Sequence, residues 1–286
     1  MLHSLDHVIV AVRELESATD TYARLLGRAP SWRGAHPGQG TANTLFRLTN
    51  TYLELLGVVG EGPFASRVRE RLERAGEGVV GFAFGTDDAD ETAAELRARG
   101  LPAADPLEGS GTDSTTGAVR RWRNVHLPES ATRGVLAFAI EHLSPADALP
   151  PARVTVPQVA AVEGLDHVVV RSADPDATRK LYGESLGLRL ALDKSFPERK
   201  VRLQFFRVGG VTVEVASLLG AAPDPAKPDE LWGLAWRVPD ADAARARLLE
   251  AGFSVSPVRN GNKPGTRVLT VERDTCGVAT LVIAPT

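Results

Sequence analysis

The chain has one cysteine, no excess of basic charge and no long apolar run, and each shortage removes a class of protein. Cys276 has no intrachain partner, so a disulfide framework is excluded and a reducing compartment is expected. Nothing in the DTCG context supplies an activating base, so Cys276 reads as a small packed residue and not as a nucleophile. The formal net charge is −3 and no Lys/Arg cluster falls on a predicted helix, which leaves no electrostatic footprint for nucleic acid. No apolar stretch approaches the ~20 residues of a membrane span. The opening MLHSLDHV has neither a charged leader nor an apolar core, so no signal peptide is expected and the cytoplasm is the expected location. The remaining composition is ordinary for a globular protein, 43% hydrophobic and 24% charged over 286 residues, enough for two domains that each bury a core.

What the sequence does have is a repeat. Residues 5–10 read LDHVIV and residues 165–170 read LDHVVV. The same offset carries Tyr22 to Tyr182, Leu26 and Gly27 to Leu186 and Gly187, Phe46 and Arg47 to Phe206 and Arg207, and Glu54 to Glu214. A match at fixed period is the mark of an internal repeat. Within the first copy, LDHVIVAV alternates as a strand, ELESATDTYARLLG has helical spacing and stops at Gly27, and TLFRLTN with TYLELLGV forms a hairpin. A related pattern follows: GVVGFAFGT with DADETAAELRARGL reappears as ELWGLAWRV with DADAARARLLEAGF, and strand pairs close both. Four β-α-β-β-β modules are therefore expected near residues 4–58, 78–143, 164–218 and 230–284. Pro145, Pro150, Pro151 and Pro157 deny helix and central strand between the second and third, which places domains at 1–143 and 164–286 with a linker over 144–163. The segment between the first two modules reads as a loop with an extra helix.

Four such modules, with His7 and His167 on first strands and Glu54 and Glu214 on last strands, resemble the vicinal oxygen chelate superfamily, the group of glyoxalase I, extradiol dioxygenases and bleomycin-resistance proteins. The first domain is similar to a glyoxalase-like branch through HPGQGTANTLFRL running into TYLELLGV. The resemblance implies an α+β fold in which paired modules make two half-open barrels, with a divalent metal inside.

Strand alternation puts Leu5, His7 and Ile9 on one face and Tyr52, Glu54 and Leu56 on one face. An imidazole and a carboxylate on adjacent strands suit Zn, Fe, Mn or Ni better than Ca or Mg. Alone, His7 reads equally as a satisfied half-buried histidine; the duplicated His/Glu spacing favours metal or substrate. The family pattern wants a further carboxylate from module two, which LAFAIEH offers at Glu141, so the expected metal set is His7, Glu54 and Glu141, with Glu54 or Glu141 also moving a proton. His142, next in sequence, is expected on the outer face. His167 and Glu214 are weaker metal candidates, because Gly233 stands where a first-strand ligand would be; Gly233 also argues against extradiol dioxygenase chemistry. Were modules one and three paired, His7, Glu54, His167 and Glu214 would make one four-ligand site, but short connections favour neighbouring pairs. His36 and Asn43, around a glycine-rich loop, and Arg47 and Trp122 are candidate substrate contacts, with turn chemistry, exposed-face arginine and ordinary strand packing as the alternatives; Arg207 and His126 read the same way. The expected function is a metal-dependent glyoxalase-like lyase or isomerase acting on a small bidentate oxygen-bearing substrate. The alternative is a non-catalytic small-molecule-binding protein of the resistance type. A monomer or homodimer, without nucleic-acid or membrane partners, is expected in either case.

Overall fold

Each module starts with a strand that lies beside the module's own last strand. The computed structural model describes residues 1–36 and 38–286; Pro37, in HPGQGTAN, lies outside the described residues. Module one comprises β1 (Ser4–Val12), α1 (Leu15–Leu26), β2 (Trp32–His36), β3 (Thr41–Arg47) and β4 (Tyr52–Val58). A connecting helix α2 (Pro63–Ala75) leads to module two: β5 (Gly78–Gly85), α3 (Ala89–Ala98), β6 (Leu107–Asp113), β7 (Val119–His126) and β8 (Leu136–His142). Module three is β9 (Gly164–Arg171), α4 (Pro175–Arg179) widening into a π turn over Lys180–Ser185, β10 (Arg189–Phe196), β11 (Val201–Val208) and β12 (Val211–Leu218). Module four is β13 (Glu230–Arg237), α5 (Ala241–Glu250), β14 (Arg259–Asn260), β15 (Thr266–Val271) and β16 (Ala279–Pro285). The fold is α+β, built on two eight-stranded sheets.

Modules one and two share the first sheet and modules three and four the second, so the crossed pairing of modules one and three does not form. The first sheet runs β1-β4-β3-β2-β6-β7-β8-β5 and goes beyond half-open: β2 and β6 pair at Gly34↔Asp113 and Ala35↔Thr112, which closes the barrel. The second, β10-β11-β12-β9-β13-β16-β15-β14, stays open, since its edge strand β14 is two residues long. Charged Arg189, Asp193 and Lys194 on the opposite edge strand, β10, discourage further pairing.

Inside the first barrel the facing of β1 depends on an irregularity. Its register against β5 slips between Leu5 and His7. Leu5 consequently joins Val8 and Val10 in the outer core, while His7 and Ile9 face the interior. Simple alternation had put Leu5 and His7 on one face; a bulge adds one residue to a strand and inverts the face of what precedes it. Apolar side chains from outside the strands pack on the barrel wall at two places. Val68 and Leu72 of α2 pack with Ile9, Leu56, Phe138 and Ile140 at one, and Leu149 from the Pro-rich segment packs on Trp32, Leu45 and Tyr52 at the other.

The outer faces of both sheets, with their helices, meet in a single apolar cluster that runs from Leu5 to Ala284. α1 contributes Ala18, Tyr22, Leu25 and Leu26, and ends at Gly27, whose φ of 66° is the left-handed conformation that glycine adopts without strain. Polar ties cross between the halves. The Tyr22 hydroxyl donates to the Thr275 carbonyl at 3.3 Å. Arg247, nine-tenths buried on α5, donates to the carbonyls of Leu25 (2.9 Å), Ala160 (3.0 Å) and Arg24. Burial lowers the Arg247 pKa to about 10, so it stays cationic at neutral pH. Among the described residues no helix is long and apolar enough to cross a membrane.

A shared core makes a stability prediction. We propose that the halves 1–143 and 164–286 unfold in one transition, and that Arg247→Met lowers stability by roughly 2–4 kcal/mol, because three buried carbonyls lose their donor. Urea denaturation followed by tryptophan fluorescence and by circular dichroism checks both. Two resolved transitions, or an unchanged midpoint for the variant, would count against the shared core.

Candidate functional site

The closed barrel holds a cavity of about 480 Å³, and the polar groups on its wall form a chain. β1 and β4 run parallel in the register His7↔Tyr52 and Ile9↔Glu54, which turns His7, Tyr52 and Glu54 toward the same interior. Asp6, at the bulge, places one carboxylate oxygen 2.7 Å from His7 Nδ1 and the other 2.9 Å from His142 Nε2. A carboxylate only accepts, so both nitrogens carry hydrogen, and His7 presents Nε2 to the cavity. His7 stacks on the Tyr52 ring at 4.5 Å between centroids, 19° from parallel, and meets Phe138 edge-on at 5.5 Å. On the opposite side, Asn43 Nδ2 donates to Glu54 Oε1 at 2.8 Å and lies 3.3 Å from His36 Nε2, while His36 Nδ1 is 2.8 Å from Thr41 Oγ1.

The chain has one gap. His7 Nε2 and Glu54 Oε2 face each other at 3.6 Å, beyond hydrogen-bond distance. With Nδ1 committed to Asp6, both facing atoms are acceptors unless a proton lies between them. Burial by itself would favour the neutral acid at Asp6, but hydrogen bonds from His142 and His7 hold its carboxyl well below the usual range. Burial raises the Tyr52 phenol well above its ordinary value, the Asp6 charge adds to this, and Arg120 opposes it. His126 is lowered by burial and then by Arg67.

The structure brings some of the residues singled out from the sequence to one cavity and leaves others outside it. His7, Glu54, His36, Asn43, Trp122 and His126 all line the cavity. Glu141 does not. Its strand turns Leu136, Phe138 and Ile140 inward, and its carboxylate accepts from the Ala89 N–H at 3.1 Å and lies 3.5 Å from Arg123, where it favours the positive end of α3. His142, expected outside, is the residue that reaches Asp6. Arg47 also points away from the cavity and donates to the carbonyls of Ala146 (2.6 Å) and Leu149, strapping the Pro-rich segment over the barrel end. His167 and Glu214 repeat the pair at 3.8 Å, with His167 Nδ1 2.9 Å from Asp166. Burial raises the Glu214 carboxyl, which has no counterpart of Asn43 because Leu203 stands there.

Sequence reasoning missed Tyr52 and Arg120. Tyr52 shares a strand face with Glu54, and Arg120 shares one with Trp122 by the two-residue period, so alternation alone was enough to find both. Gly34 and Gly109 were likewise unremarked: a Cβ at either would strike the indole of Trp32 or Trp122, so these glycines let the two rings lie flat on the strands.

Comparisons with known proteins agree with this architecture. A family model described as a glyoxalase-like domain matches residues 5–186, and one described as the glyoxalase/bleomycin resistance protein/dioxygenase superfamily matches residues 166–270. None of the curated proteins compared with the chain matches it. Among solved structures, a triple mutant of 4-hydroxymandelate synthase from Streptomyces coelicolor is similar with a TM-score of 0.68 at 16% identity, over 99% of this chain and 93% of that one. A hypothetical protein from Staphylococcus aureus gives 0.66 at 10% identity, over 99% of both chains. A xylose isomerase-like TIM barrel/4-hydroxyphenylpyruvate dioxygenase fusion protein gives 0.62 at 12% identity, over 100% of this chain and 49% of that one. At such identities the likeness is one of fold.

The Asp6 hydrogen bonds carry a pH signature. A carboxyl depressed in the folded state contributes stability that is present above the unfolded value of ~3.9 and is lost as pH falls toward the folded one. Asp6→Asn should therefore be less stable than the parent at neutral pH, with the difference shrinking below about pH 4. Urea midpoints of both proteins between neutral pH and pH 3 check this, and a pH-independent difference would contradict it.

Proposed function

The chain belongs to the glyoxalase-like domain family, and from that premise we propose that its first barrel is a proton-transfer site of the lyase or isomerase kind. Glu54, with His7 opposite, moves a proton on a small oxygen-bearing molecule held in the cavity. The observation that carries this is the pair of facing acceptors, Nε2 of His7 and Oε2 of Glu54, at 3.6 Å on the wall of a 480 Å³ cavity. Each has its other side fixed, His7 by Asp6 and Glu54 by Asn43, so neither can turn away to find another partner. A C–H or O–H presented between them meets two bases. Glu54 takes the proton and, once protonated, gives it back to the substrate, while His7, held through Nδ1 by Asp6, keeps Nε2 turned to the same atoms.

A divalent ion is the expectation that goes with the family resemblance, and His7 and Glu54 would be two of its ligands. On β5 and β8 the inward-facing residues that module two offers are Gly81, Ala83, Leu136, Phe138 and Ile140, none of which can ligate, and His126 on β7 lies against Phe138 without joining the pair. Among the described residues no third His, Cys, Asp or Glu joins the pair. The donor set does not fit an ion that needs three or four protein ligands. The same apolar wall favours a second reading, a protein that holds its ligand without turning it over.

Proton exchange separates the two. The protein is incubated in D₂O with a panel of small carbonyl compounds bearing α-hydrogens, and deuterium uptake is followed by NMR. Catalysed exchange is expected for at least one compound, and Glu54→Gln should slow it by about 10²–10⁴-fold. Exchange that survives in Glu54→Gln would remove Glu54 from its role. Binding without exchange across the panel would favour the sequestering protein.

A further inference from the structure

Arg120 sits on β7 with Trp122, Asn124 and His126, the four side chains that this strand turns into the cavity. It is 6% exposed. Other buried arginines in the molecule have backbone acceptors: Arg28 donates to the carbonyls of Val162 and Ala152, and Arg247 to three carbonyls. Arg120 has no such company. Among the described residues no carboxylate pairs with it and no carbonyl accepts from it. Its Cζ lies 5.6 Å from the Trp32 ring centroid and 5.5 Å from that of Tyr52. The Tyr52 phenol, which Arg120 also touches, is one acceptor against a guanidinium with several donors. Glu54 does not neutralise it, being engaged by Asn43 and turned to His7. The guanidinium lies on the cavity wall with donors to spare, where an anion entering the cavity would meet it.

Resting on the reading of the first barrel as a small-molecule site, we propose that Arg120 is its anion-binding residue and that the ligand is a carboxylate attached to a flat apolar body. A lone guanidinium fork matches a singly charged planar carboxylate. The other arginine on the cavity, Arg67, is exposed and paired with Glu129, so a second charge, as on a phosphate, has no partner there. Trp32, Tyr52, Trp122 and Phe138 make the walls aromatic, which suits a ring or a planar conjugated chain. Position follows from Tyr52. Its ring carries Arg120 at 5.5 Å and His7 at 4.5 Å, so a carboxylate held on Arg120 brings the carbons next to it toward the His7–Glu54 gap. Arg120 thereby selects the substrate and sets which of its carbons meets the base.

The test uses phenylacetate and its neutral isostere phenylacetamide as probes, with quenching of Trp32 and Trp122 as the readout. Phenylacetate should quench saturably and bind about ten- to a hundredfold more tightly than phenylacetamide, the range expected of a charge-assisted hydrogen-bond pair. Arg120→Met should abolish that preference while its melting temperature holds or rises, and Arg120→Lys should recover part of it. Equal affinity for the two probes in the parent protein, no saturable quenching by phenylacetate, or a large fall in melting temperature for both variants would each overturn the proposal. The parent comparison needs no variant to fold. Glu54→Gln should keep the preference for phenylacetate, and absence of catalysed exchange in the parent protein with that preference intact would sink the proton-transfer reading and leave this one standing. Catalysed exchange in neutral compounds, with both probes bound alike, would do the reverse.

Discussion

Parallel pairing of β1 with β4 sets His7 beside Tyr52 and Ile9 beside Glu54, and it brings an imidazole and a carboxylate from opposite ends of a module onto one inner wall. Strands paired in parallel need a long crossover, here α1 with the β2–β3 hairpin, so the two residues stay far apart in sequence however close they are in space. β9 and β12 repeat the arrangement with His167↔Thr212 and Val169↔Glu214. In both halves an aspartate just before the histidine fixes its Nδ1, and Nε2 is left facing the glutamate, at 3.6 Å in one half and 3.8 Å in the other. Two independent copies of one geometry point to the module, and not to local accident, as its source.

What surrounds the pair differs. At the offset that maps His7 to His167, Tyr52 becomes Thr212, Asn43 becomes Leu203 and Trp32 becomes Leu192, which is 47% exposed. The second pair has neither a stacking ring nor an amide donor, and the sheet around it stays open. Desolvation without a donor is what raises Glu214. Among the described residues an aromatic wall, an amide donor to the glutamate and closure at β2–β6 are found only in the first half.

The repeat was legible because strands alternate and helices recur at 3.6, so even a divergent copy keeps its apolar positions and its His and Glu in phase. Element order and module limits came directly from that. The facing of β8 was not legible, because Leu136, Phe138 and Ile140 alternate with Ala137 and Ala139 and both faces are apolar; only pairing with β5 decides which set turns inward. For this reason Glu141 turns away from the cavity, and it is His142 that reaches Asp6. The bulge at Asp6 was equally hidden, since nothing in LDHV distinguishes a bulged strand from a regular one. Arg120 and Arg47 illustrate another limit. An arginine on a strand reads as a solvent-facing residue, yet one is walled in by Trp32 and Tyr52 and the other straps the Pro-rich segment. Barrel closure rests on two residue pairs between short strands, too little for a pattern in the sequence to reveal.

The second half has a structural reason to persist even where its own pair lacks walls. The outer face of the first barrel carries Phe82 and Phe84, both fully buried, and Phe82 lies 6.3 Å from the Tyr182 ring of the other half. Stripped of that cover, β5 would expose large aromatic surface on the strand that pairs with β1. Through Arg247 the last helix also supplies donors to the final turn of α1, the helix that spans the crossover between β1 and the rest of its module. The spacing of His7 and Glu54 therefore depends on packing that begins some 160 residues away in sequence. Substitutions on the inner wall of the second sheet leave this packing alone, whereas substitutions on its helix-covered face loosen the strands that hold the two bases apart.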